Sequence, residues 1–180
     1  MAQGTLTLKG ESALLMHNVG AMTPTGGGRK KIPLAEDEAA AAAYWMADKS
    51  SLCLYSYHIH AALIAASSGY RYSGRKSVIP VMSGCVRILP EELPLNTKEY
   101  VVDVRPVVVQ RNRILRARAR VFPWVVSCTV EYDEQMLNKD FMSTVFPEIV
   151  SHAGRAVGLL DFRPAKRGPF GRFSIQTWEL

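Results

Sequence analysis

The sequence lacks the features that define membrane and secreted proteins. No stretch approaches the ~18 consecutive apolar residues that a membrane-spanning helix requires. The N-terminus has no basic stretch followed by an apolar core, so we predict no signal peptide and expect a cytoplasmic location. Hydrophobic residues make up 48% of the chain and charged residues 21%, a balance that argues against a largely disordered protein.

Cysteine is scarce, and its spacing argues against a metal site. The three cysteines, Cys53, Cys85 and Cys128, form no Cys-x-x-Cys pair, so we expect reduced, buried thiols rather than zinc ligands. The segment Gly26-Gly27-Gly28-Arg29-Lys30 is not a nucleotide-binding P-loop, because no Ser or Thr follows the Lys. We therefore expect neither a metal nor a cofactor.

Positive charge is abundant and concentrated in two parts of the 180-residue chain. Its formal net charge is +6. Residues 105–120 contain six arginines and no acid, and residues 155–172 contain five basic residues and one acid, Asp161. Such segregation is typical of a surface that contacts a polyanion. A solvated strand face without a partner explains the same pattern equally well.

Apolar periodicity predicts a mixture of strands and helices. Strands are predicted at residues 5–16, 50–57, 78–89, 100–109, 114–121, 124–132 and 173–178. Helices are predicted at residues 35–47, 59–68 and 139–157. A turn over residues 110–113 would join two of the strands into a hairpin.

The order of the larger elements predicts an α+β fold. We expect one ferredoxin-like, RRM-type domain over residues 1–180, an antiparallel sheet with helices on one face. Residues 18–58 would form an insertion after the first strand, with a flexible basic loop near its start.

The second hairpin strand carries an arginine at every other position. Alternation places Arg116, Arg118 and Arg120, here called the arginine row, on one face of the sheet. We predict that they are not all paired within the protein and that they contact nucleic acid or another polyanion. The alternative is that carboxylates on adjacent strands neutralise them, namely Asp103, Glu131 and Asp133.

Residues 158–172 form a segment that we call the glycine-rich loop. Four basic residues alternate there with glycines and with phenylalanines that include Phe170. Because cations bind phosphates and aromatic faces stack on bases, this mixture suits single-stranded nucleic acid. We expect the loop to be exposed and to contact the ligand or a neighbouring subunit, whereas Phe173 is expected to pack in the core. Residues 70–76 form a second basic, aromatic loop.

A glycine-rich loop between the second helix and the last strand of such a fold resembles the RAMP superfamily. These are RRM-fold RNA-binding proteins of CRISPR effector complexes, both backbone subunits and guide-processing endoribonucleases. Residues 59–66 resemble the first helix of backbone-type members, and residues 23–31 lie where such proteins carry insertions that touch RNA. The phrases Gly-Leu-Leu-Asp-Phe-Arg-Pro and Gly-Arg-Phe also resemble phage-encoded proteins.

The resemblance implies a candidate acid or base near the first helix. Metal-independent ribonucleases of this class use a histidine there, which makes His58 and His60 the candidates. If the segment were a strand, the two histidines would share a face and could form a pair. The alternative, which we favour, is a hydrogen-bonded histidine at a helix start.

We therefore expect a non-catalytic protein that binds single-stranded nucleic acid, with RNA favoured, and that assembles with itself or with other subunits. The competing functions are a metal-independent ribonuclease and a phage-type structural or assembly protein. The candidate phosphate ligands are Arg29, Lys30, Lys31, Arg71, Arg75, Lys76, Arg111, Arg113, Arg116, Arg118, Arg120, Arg163, Lys166, Arg167 and Arg172. The candidate stacking residues are Tyr70, Tyr72 and Phe170.

Overall fold

The structure is a computed structural model that describes residues 1–18, 20, 34–72, 74, 76–109 and 111–180. Within these residues the fold is α+β, with antiparallel sheets and four α-helices. Among the described residues we find no helix that could span a membrane.

The main sheet has four strands. They are β1 (Ala2–Gly10), β6 (Val86–Leu89), β10 (Val125–Tyr132) and β11 (Phe173–Glu179), in the order β11-β1-β10-β6 with every neighbour antiparallel. Alternate side chains of β1 and β10 are buried, as the two-residue period of a strand requires. The sheet therefore has one face in the core and one polar face.

Two helices cover the buried face of this sheet. Helix α2 (Ser56–Ala66) packs against β6, and α4 (Lys139–His152) packs against β11 and α2. The Asn138 side chain caps α4 by accepting a hydrogen bond of 2.9 Å from the Phe141 amide. A π-helical turn, Ala153–Val157, follows α4 and leads into the glycine-rich loop. The larger elements thus follow the order strand, helix, strand, strand, helix, strand.

The hairpin belongs to a second sheet. Strands β8 (Val101–Val109) and β9 (Asn112–Val121) pair along their whole length, and the short β2 (Leu14–Leu15) pairs with the base of β9. Helix α1 (Ala35–Ala42) packs against β9. The remaining elements are β3 (Cys53–Tyr55), β4 (Arg71–Tyr72), β5 (Lys76–Ser77), α3 (Ile79–Cys85) and β7 (Glu92–Pro94).

Several predicted boundaries are wrong. The strand predicted over residues 78–89 is a helix followed by a strand, because Pro80 in the first turn of α3 favours a helix start. The strand predicted over residues 5–16 ends at Gly10, where Trp124 packs so closely that a side chain would collide with its ring. The helix predicted from residue 59 begins at Ser56, so the residues flanking Ile59 are helical. The hairpin turn is tighter than expected, since Val109 still pairs with Asn112.

Candidate nucleic-acid interface

The arginine row lies on one face of the hairpin, as predicted. In the β8–β9 register, Asp103 lies opposite Arg118 and Arg105 lies opposite Arg116. Directly opposed residues share a face of an antiparallel pair. Acidic and basic side chains therefore meet on the same face.

Each guanidinium of the arginine row lies within 4.0 Å of a carboxylate, so the prediction that they are not all paired is wrong. The distances are 3.0 Å from Arg116 to Glu38, 3.0 Å from Arg118 to Asp161 and 3.9 Å from Arg120 to Asp103. Asp103 was among the expected counter-charges, whereas the other two acids come from α1 and the glycine-rich loop. The Glu38 carboxylate also accepts a hydrogen bond of 3.1 Å from the Ala117 amide, which satisfies that backbone donor of β9.

Arg118 is the most enclosed member of the row. Only 8% of its surface is exposed, and its Nε donates a hydrogen bond of 3.2 Å to His17 Nδ1. Burial, followed by the charge of Arg118, lowers the pKa of His17. Because Arg118 is buried and paired, it joins the hairpin to the glycine-rich loop and is not available to a phosphate.

The glycine-rich loop is anchored by its apolar residues. Leu159 and Leu160 are buried, and a Cβ at Gly168 would collide with the carbonyl oxygen of Phe162. Phe170, expected to stack on a base, is only 8% exposed, and the Arg105 guanidinium lies 4.8 Å from its ring centroid. The stacking role of Phe170 is therefore corrected to a packing role, because its ring is covered by the protein itself.

Among the described residues, the four basic side chains of the loop are not paired with acids. Lys166 and Arg167 are exposed, while Arg163 and Arg172 donate hydrogen bonds of 2.7 and 2.6 Å to the carbonyl oxygens of Leu160 and Arg155. Across the described part of the chain, no carboxylate lies within 4.0 Å of these four cations. The single acid of the loop is engaged by Arg118, so the positive charge of the loop is uncompensated.

The second basic loop and the hairpin tip add exposed cations. Arg71 and Lys76 are exposed on β4 and β5, next to the half-buried Tyr70 and Tyr72. Arg111 and Arg113 are exposed at the tip of the hairpin. The remaining candidates lie outside the described residues, namely Arg29, Lys30, Lys31 and Arg75.

On the open face of the main sheet, strands β1, β6 and β10 do not form an aromatic platform. Strands β1, β6 and β10 present side chains such as Thr7, Ser127 and the Arg87–Glu131 ion pair on this face. Tyr132 is the single aromatic residue of these three strands, and it points into the core. Stacking on this sheet, as in an RRM, is therefore not supported by the side chains present.

A cavity of about 290 Å³ lies between α2 and the glycine-rich loop. Its polar lining includes His17, Tyr44, Tyr57, His58 and Arg163, and its apolar lining includes alanines of α2 and leucines of the loop. Burial raises the pKa of Tyr44 to about 12, and its hydroxyl donates a hydrogen bond of 3.0 Å to the His17 carbonyl oxygen. The contribution of the two tyrosines and of His17 was not predicted from the sequence, because only the fold brings these residues together.

The two candidate catalytic histidines do not form a pair. His58 Nδ1 accepts a hydrogen bond of 3.2 Å from the Tyr55 amide, whereas His60 Nε2 lies 3.4 Å from the Met82 carbonyl oxygen. They lie two residues apart on a helix, so their side chains point in different directions. Burial, with a smaller contribution from Arg163, lowers the pKa of His58 to about 4.

The three cysteines are free thiols, as predicted. Cys53 and Cys128 are buried, and burial raises the pKa of their thiols to about 11 and about 12. Cys85 is half-buried rather than buried. The two buried thiols are therefore protonated and unreactive at neutral pH.

Neither a protein-family model nor a curated protein matches this sequence. The fold is similar to that of a chain in a solved structure described as "Cryo-EM structure of the Type III-B Cmr-beta bound to cognate target RNA". The TM-score is 0.63 and the sequence identity is 11%, with 98% of this chain and 59% of that chain covered. The present chain therefore spans less than two thirds of that chain, and the likeness shows a shared fold.

Proposed function

We propose that this chain binds single-stranded nucleic acid, with RNA as the favoured ligand, and that it acts within a multi-subunit ribonucleoprotein. The observation that carries the proposal is the uncompensated positive charge of the glycine-rich loop. The charge is uncompensated because Asp161, the single acid of the loop, forms its ion pair with Arg118 on β9. Uncompensated cations on a shaped loop attract phosphates, and releasing counterions from the strand then favours binding. The sites proposed are the exposed cations of this loop, of β4 and β5, and of the hairpin tip.

The topology and the structural neighbour support the same proposal. The order β11-β1-β10-β6, with two helices on one face, is the arrangement expected of a ferredoxin-like fold and hence of a RAMP-type protein. The neighbour belongs to an assembly bound to target RNA. Binding would use the loops rather than the open sheet face, where β1, β6 and β10 offer no aromatic ring.

The state of His58 argues against this residue as the catalytic group of a ribonuclease. A pKa of about 4 leaves the imidazole neutral at pH 7, so it is a poor proton donor and a weak base. A metal-independent ribonuclease would need at least one such group to work near its pKa. The neutral ring is instead suited to a fixed hydrogen bond.

The proposal is tested by the salt dependence of binding to a fluorescent oligouridine and to its DNA counterpart. For a single strand, log K should fall with log salt with a slope of about −0.7 per neutralised phosphate. The variant Lys166→Gln/Arg167→Gln should bind more weakly, and its slope should be shallower by about 1.4. The matched control is Lys49→Gln/Lys139→Gln, which removes two exposed cations outside the glycine-rich loop. Lys49 has a positive φ, as Arg167 does.

Binding that does not change with salt, or that falls equally in both double variants, would contradict the proposal. The bound strand is also examined on a denaturing gel. Cleavage that disappears in His58→Asn or in His60→Asn would favour the ribonuclease instead.

A further inference from the structure

We infer that the cavity between α2 and the glycine-rich loop holds one unstacked nucleobase of the bound strand. This inference rests on the proposed function, because the phosphates of the same strand would lie on the basic loop at the rim. The cavity volume of about 290 Å³ is at the lower end of the range for small-molecule sites and suits a single base.

The walls of the cavity match the faces of a base. Ala61 and Ala65 lie one turn apart on α2 and are exposed toward solvent, and Leu159 lines the cavity from the loop. Tyr57 also lines the cavity, and 53% of its surface is exposed. Its ring is already stacked on Tyr55, with centroids 5.4 Å apart and an interplanar angle of 7°. Because Tyr55 holds this ring in place, the ring is a rigid platform on which a base can stack.

The polar groups of the cavity match the edge of a base. Because His58 Nδ1 accepts from the Tyr55 amide, the proton of the neutral ring is on Nε2, and no described residue accepts a hydrogen bond from it. This N–H is available to a carbonyl oxygen on a base. Arg163 uses Nη1 to bind the Leu160 carbonyl oxygen, which leaves its other N–H groups for the adjoining phosphate.

The test separates the base from the sugar–phosphate chain. Affinity is measured for an oligouridine and for an abasic ribose–phosphate strand of the same length. The cavity is filled by Ala61→Leu and, in a second variant, by Ala65→Leu. Both positions are exposed on a helix, where Leu is well tolerated. Ala40→Leu, at an exposed position on α1 that does not line the cavity, is the matched control.

We expect the wild-type protein to prefer the base-bearing strand by about tenfold. Filling the cavity should abolish this preference without changing the affinity for the abasic strand, and the control should keep it. If wild type binds both strands equally, or if both filled variants keep the preference, the inference is overturned while the proposed function stands. If wild type binds neither strand at low salt, the proposed function fails and the inference falls with it.

Discussion

Arg118 on β9 and Asp161 in the glycine-rich loop form an ion pair with a nitrogen–oxygen distance of 3.0 Å. The arginine side chain is 10% exposed and the aspartate side chain is 34% exposed. The pair therefore attaches the hairpin to the loop. It also engages the only acid of the loop, and within the described part of the chain no carboxylate lies within 4.0 Å of the four cations of the loop.

Asp161→Asn is expected to destabilise the protein, because Arg118 would stay buried without its counter-charge. We expect the free energy of unfolding to fall by about 1 to 3 kcal/mol, since one partner is partly exposed to water. Urea unfolding measures the change.

The matched control is Glu131→Gln, which breaks the Arg87–Glu131 pair, where the arginine side chain is 67% exposed. That change should cost less than about 1 kcal/mol. If the free energy of unfolding fell equally in the two variants, the Arg118–Asp161 pair would stabilise the protein no more than an exposed ion pair does.

Gly168→Ala is expected to distort the glycine-rich loop, because the new Cβ would collide with the backbone carbonyl of Phe162. We predict a loss of about 2 kcal/mol or more in the free energy of unfolding. The control is Gly84→Ala inside α3, where an added Cβ meets no atom within 4 Å, and a gain of about 0.5 to 1 kcal/mol is expected. Thermal unfolding of both variants checks the prediction, and an unchanged Gly168→Ala protein would mean that the loop relaxes freely.

We expect the protein to become less stable as the pH is lowered, because His58 titrates at a different pH in the folded and unfolded states. Its folded-state pKa is about 4, below the ordinary value of 6.5, because of burial and then the charge of Arg163. Between these values the unfolded chain binds a proton that the folded chain does not. The free energy of unfolding should therefore fall, by up to about 3 kcal/mol, as the pH drops through this window.

His58→Asn should flatten this dependence, because an amide oxygen replaces Nδ1 as acceptor and carries no titratable proton. Urea midpoints measured across the window compare the two proteins. His17 also has a lowered pKa, so part of the slope should persist in the variant. Parallel curves for wild type and His58→Asn would exclude His58 as the source.

The sequence by itself determined the features that depend on neighbours along the chain. The α+β class, the long hairpin and the shared face of Arg116, Arg118 and Arg120 follow from periods of two and of about four residues. Local pattern did not distinguish helix from strand over residues 79–85, because short apolar runs fit both.

Only the tertiary structure decided the state of the charges and the site itself. Glu38 and Asp161 reach the arginine row from α1 and from the glycine-rich loop, so Arg116 and Arg118 are paired with acids that are distant in the sequence. Packing of distant segments also places Arg105 over the ring of Phe170. The same packing brings Tyr57 and His58 to one cavity with Arg163. Electrostatic pairing and burial depend on distance in space, which the spacing of residues along the chain does not encode.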